Sequence, residues 1–177
     1  MAIFFIKIIV SCLCLLLTAL PCAAQEKQCS PENSPPLLNL RLGMSPEQTQ
    51  SILGKALKIK VKKKGQHTFF QNFIEKRPPS ALNGVRALYL RFFDRSLYQI
   101  EIFYEEDSNA KTNEYFVASL SSQLNFPVSS WQIEKGKATI ICGEFSIVAD
   151  KILNLHIEMT DETIRAKVEE LREKSKK

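Results

Sequence analysis

The chain has 177 residues, 45% of them hydrophobic and 24% charged, and carries a formal net charge of +5. This balance excludes a disordered polyelectrolyte and fits a globular protein, and so small a positive surplus does not argue for nucleic acid. Two histidines and five cysteines leave few positions for metal or thiol chemistry.

Met1 to Ala24 reads as an export signal. Lys7 and the amino terminus form a positive start, and Ile8 to Leu20 is apolar apart from Ser11 and Thr18. That is a hydrophobic core of signal-peptide length. Pro21 breaks a helix because it lacks an N–H, and Cys22-Ala23-Ala24 sets small residues where signal peptidase reads. Cleavage is expected between Ala24 and Gln25. Two other readings stay open. Counted from Ile3, the apolar run approaches the length of an uncleaved membrane anchor; Cys12 or Cys22 would serve a lipoprotein.

Cleavage removes Cys12, Cys14 and Cys22 and leaves Cys29 and Cys142. An even pair in an oxidising compartment is expected to form a disulfide; the alternative is two unrelated thiols. Residues 25–38 are polar and rich in proline, and read as an extended N-terminal arm. Residues 39–177 read as one domain of adequate size for its own core.

Gly43-Met44-Ser45-Pro46-Glu47-Gln48 is a helix start: Ser45 caps, Pro46 sits where its missing N–H costs nothing, and Gln48 completes a capping box. Gly54 closes that short helix. Leu57, Ile59 and Val61 alternate with Lys58, Lys60 and Lys62, the period of a strand with one buried face, and His67 to Ile74 reads as its return. Leu88, Leu90 and Phe92 alternate with Tyr89, Arg91 and Phe93. After a tight connection at Asp94-Arg95-Ser96, Tyr98, Ile100, Ile102 and Tyr104 alternate with Gln99, Glu101 and Phe103.

Thr112 opens a second helix with Phe116, Leu120 and Leu124 at helical spacing, ended by Asn125 and Pro127. Trp131 reads as a core anchor. A hairpin turns at Gly143-Glu144, and Leu153, Leu155, Ile157 and Met159 form the next strand, with Asn154, His156 and Glu158 on its other face. A final helix spans about residues 161–174, capped by Thr160 or Asp161, with Ile164, Val168 and Leu171 as a narrow stripe. The expected fold is α+β: an antiparallel sheet with helices packed on one face. The element order suggests two αβββ-type halves.

Leu42-Gly43-Met44-Ser45, Gln48 and Ile52-Leu53-Gly54 resemble the opening of a group of small exported α+β domains, the outer-membrane assembly lipoproteins of the SmpA/BamE type and β-lactamase-inhibitor-like proteins among them. Thr49 stands where that group usually has Val. The resemblance implies the same fold class and a protein-binding role.

The residues themselves predict no catalytic, cofactor-binding or metal-ligating set. His67 and His156 lack the convergent partners that zinc needs, and no nucleophile pattern is present. Lys58, Lys60 and Lys62 would line one strand face, either as a partner-binding surface or as a solvated face that discourages edge pairing. The expectation is therefore an exported, non-catalytic binding or scaffold protein of the bacterial envelope, periplasmic or secreted. Its partner would be another envelope protein and not nucleic acid; membrane contact would run only through an uncleaved signal or the lysine strand. The alternatives are an extracytoplasmic enzyme inhibitor, or an enzyme whose site is assembled from distant residues.

Overall fold

A computed structural model describes residues 29–54, 66–72, 82–105, 113–150 and 155–176. The expected signal at 1–24, with its cleavage point at Ala24 and Gln25, lies outside the described residues, as does the lysine strand at 58–62.

Among the described residues, three α-helices and seven strands make an α+β fold. In chain order they are α1 (Pro46–Leu53), β1 (Gln66–Asn72), β2 (Val85–Phe93), β3 (Ser96–Tyr104), α2 (Asn113–Leu124), β4 (Gln132–Glu134), β5 (Lys137–Cys142), β6 (Phe145–Asp150), β7 (His156–Asp161) and α3 (Glu162–Lys174). The strands form one sheet in the order β1-β2-β3-β7-β6-β5-β4, and every pairing is antiparallel. Two meanders, β1–β3 and β4–β7, therefore meet along the β3–β7 ladder. Each meander follows a helix, as the element order suggested.

The core forms on one face of the sheet. Leu88, Leu90, Phe92, Ile100, Ile102, Ile140, Ile147, Ile157 and Met159 are buried there together with Leu53 of α1 and Phe116, Val117, Leu120 and Leu124 of α2. Each such side chain contributes about 1.5–3 kcal/mol relative to exposure. The α1 cap matches the expected capping box: Gln48 N–H donates to Ser45 Oγ at 3.2 Å and Ser45 N–H to Gln48 Oε1 at 2.8 Å. Trp131 is a core anchor, and its indole N–H donates to Ser121 Oγ of α2 at 2.8 Å. Asp161, one of the two expected caps, accepts from the Ile164 N–H at 2.9 Å and starts α3. The expected α3 stripe is only partly buried: Val168 is covered, outside the main core, whereas Leu171 is exposed.

The stretch before α1 is less extended than expected. Ser34 and Leu37 are fully or almost fully buried, and Leu37 and Leu40 form a β-bridge around Leu38 and Asn39, both at positive φ. Arg41 donates to the Ser34 carbonyl at 2.6 Å. Further on, Gly43 N–H donates to Leu97 O and Leu97 N–H to Met44 O, each at 2.8 Å. At the other end, Cys29 is disulfide-bonded to Cys142, with Cα atoms 4.8 Å apart. Residues 29–44 thus form a strap from the β5–β6 hairpin to the β2–β3 hairpin, with Leu37, Leu40 and Leu42 in the core.

Candidate functional site

The sheet face opposite the core carries most of the polar and aromatic side chains of the strands. The registers align them in three rows across the strands. One row runs Glu134, Lys137, Asp150, His156, Phe103 and Ala87. The next runs Gln132, Thr139, Val148, Glu158, Glu101 and Tyr89; the third runs Ile141, Ser146, Thr160, Gln99 and Arg91. This outer face is assembled from both meanders, so neither half of the chain makes it alone.

The third row is tied down. Ser146, Thr160 and Gln99 are buried, and Ser146 Oγ donates to Glu162 in the first turn of α3. Arg91 donates to Gln99 Oε1 at 2.7 Å, Gln99 Nε2 to Glu158 Oε1 at 2.6 Å, and Thr160 Oγ1 to the same carboxylate oxygen at 2.8 Å. Two donors thus hold Glu158 in place. Glu101 lies directly opposite it on β3. Burial pushes the Glu101 carboxyl above its ordinary range, and the charge of Glu158 pushes the same way against the pull of Arg91 and His156. No lysine or arginine among the described residues ion-pairs with either glutamate; the ion pairs join Glu47 to Arg95 or lie along α3 and the residues after it.

The first row holds a ring stack. His156 lies over Phe103 with centroids 5.2 Å apart and planes 23° apart. Tyr89 meets Phe103 edge-on at 5.9 Å, and the Arg86 guanidinium carbon is 6.0 Å from the Phe103 centroid. Tyr89, Phe103, His156, Glu101 and Glu158 are all half-buried. Such rings offer flat contact area that orders few torsions on binding. At the β4–β6 end the face dips into a groove of about 470 Å³ lined by Gln132, Glu134, Lys135, Lys137, Thr139, Ile141 and Asp150.

His156 therefore sits beside Asp150 in register and stacks on Phe103, while His67 lies opposite Phe92 in the β1–β2 ladder. The two histidines are not in the same row. Among the described residues no group of three or more His, Cys, Asp and Glu side chains has the geometry to hold a metal ion, and no helix is long and apolar enough to cross a membrane. Cys142 is in a disulfide, which removes it as a nucleophile. The Glu101–Glu158 pairing and strand β4 are the features the sequence did not announce. Polar alternation on each strand was visible, but the β3–β7 pairing joins residues more than fifty positions apart. The available signal for β4 was Gly136, since glycine suits the two-residue hairpin turn that Lys135 and Gly136 form at positive φ.

No protein-family model, curated relative or solved structure matches this chain.

Proposed function

We propose that this chain is an exported, non-catalytic binding or scaffold protein of the bacterial envelope, and that the outer sheet face is its binding surface. The observation that carries this reading is the half-buried set Tyr89, Phe103, His156, Glu101 and Glu158, held on rigid strands on the face away from the core. Rings and charges at such a place cost stability and are offset by contact with a partner. The Cys29–Cys142 disulfide supports export, because such bonds persist in oxidising compartments. An extracytoplasmic enzyme inhibitor is one form of the same reading, with an enzyme as the partner.

The test is capture from an envelope fraction by the mature protein, beside Tyr89→Ala and Val148→Arg variants. A specific partner lost with both variants, at unchanged melting temperature, supports the outer face; capture indifferent to both sinks it. Reversing Lys58, Lys60 and Lys62 to Glu in parallel asks whether the lysine strand contributes. A second reading, an enzyme with a site assembled from distant residues, draws on His156 meeting Asp150 and Glu101 on one face. Turnover of any envelope substrate that His156→Gln abolishes would favour it.

A further inference from the structure

We infer that the outer edge of β4 is a docking site for an extended segment of a partner protein, added to the sheet as a further antiparallel or parallel strand. This rests on reading the chain as a binding module and names the kind of segment that one part of it takes.

Strand β4 ends the described sheet and pairs only with β5. All three of its residues are exposed. An antiparallel ladder uses every second N–H and C=O of an edge strand and leaves the others open. Proteins blunt such an edge by keeping it short, as β4 is, or with charge or proline along it. Here the middle residue is Ile133, 43% exposed, while charge is confined to Glu134 and the turn at Lys135. The edge is thus apolar at its centre.

The groove beside it supplies the second half of the site. At about 470 Å³ it lies within the range of about 300–1,000 Å³ that ligand sites occupy. Ile141, 68% exposed, stands in its wall. Side chains of an added strand alternate between the two faces of the sheet. One set would lie over the groove near Gln132 and Glu134, and the other would meet Ile133. The lining has two carboxylates, Glu134 and Asp150, and two ammonium groups, Lys135 and Lys137. Glu134 ends its row on the open side of the sheet, with Lys137 and then Asp150 in register behind it. Glu134 is therefore the rim position best served by an incoming cation, since opposite charges directly across a ladder attract. No aromatic ring lines the groove, so it lacks the stacking platform a sugar or base would use. The segment that fits has an aliphatic or β-branched residue facing Ile133 and a Lys or Arg beside Glu134. Main-chain pairing supplies affinity in this mode and the alternate side chains supply selectivity.

The probe is a capped synthetic peptide of ordinary strand length that alternates Val with Lys and Thr. Its binding to the full disulfide-bonded protein is read by fluorescence anisotropy, with amide hydrogen exchange at 132–134 measured in parallel. Binding with slowed exchange at those amides is expected. Methylating alternate peptide amides, or introducing Ile133→Asp, should weaken binding by roughly tenfold or more. Ile133 is partly exposed, so the variant keeps the fold, which its melting curve checks. Equal binding of the methylated peptide overturns the inference. So does a concentration-dependent dimer that Ile133→Asp abolishes while the peptide fails to bind, because a second copy would then cover the edge. Tyr89 and Val148 lie outside the groove, so their effect on envelope capture stands or falls separately.

Discussion

Glu101 and Glu158 face each other directly across the β3–β7 ladder, and no cation of the described chain is paired with either. Like charges directly opposite one another destabilise a sheet, on the scale of the roughly 0.2–1 kcal/mol that favourable cross-strand pairs contribute. Gln99 and Thr160 hold Glu158 by hydrogen bonds, so the cost falls on Glu101, whose carboxyl is raised first by burial and then by Glu158.

The sign of the pH dependence follows. A carboxyl raised in the folded state holds its proton more tightly there than in the unfolded chain. Its ionisation therefore removes stability as pH rises through the unfolded and then the folded value. Glu101→Gln should raise stability at neutral pH by about 0.5 kcal/mol and leave it nearly unchanged in acid. Urea midpoints across the acid-to-neutral range read this; a variant less stable at neutral pH would refute it.

Cys29 and Cys142 close a separation of 113 residues. In the chain-entropy account such a bridge constrains the unfolded chain by about 4–5 kcal/mol. A Cys29→Ser, Cys142→Ser double variant should lose a comparable amount in guanidinium unfolding. It should also show faster exchange at the amides of Leu37, Leu40 and Gly43, because the strap loses its tie at one end. Gly143 marks how close that tie is: a Cβ there would come within 3.1 Å of the Cys29 carbonyl oxygen, at a φ of +54.

Thr49 is fully buried on α1, and its hydroxyl has no hydrogen-bond partner among the described residues. A buried polar group left unpaired costs about 1–3 kcal/mol. Thr49→Val keeps the shape and removes the hydroxyl, so it should stabilise the protein by about 1 kcal/mol in thermal unfolding. It should leave partner capture unchanged, since α1 packs on the core side. A destabilised variant would show that the hydroxyl is satisfied in solution.

Tyr104 packs edge-on against Phe116 at 6.1 Å, and burial pushes its hydroxyl up to about 12. The unfolded chain ionises near the ordinary value of about 10. Stability from this group is intact below that value and falls as pH rises through the window between the two. Tyr104→Phe should flatten the alkaline loss, which melting temperatures taken across that window would show.

Much of the fold was legible because periodicity is local. Leu88, Leu90 and Phe92 against Tyr89, Arg91 and Phe93 state which face of β2 is buried, and the structure buries the first set. Ser45, Pro46 and Gln48 state where α1 begins for reasons contained in four residues. The outer face was not legible in the same way. Each strand displayed its polar side, but which polar sides become neighbours depends on β3 pairing with β7. Glu101 and Glu158 are ordinary strand glutamates until that ladder puts them together.

By itself, then, the sequence determined α1, α2, the β2–β3 and β5–β6 hairpins with the buried face of β2, and the one candidate cysteine pair, since these follow from spacing, capping and counting along the chain. Only the tertiary structure decided that two meanders join at β3 and β7, that Cys29 reaches Cys142 through a strap packed into the core, and that β4 closes the sheet with an open apolar edge. Those features depend on contacts between residues far apart in the chain, where geometry rather than local propensity selects the neighbour.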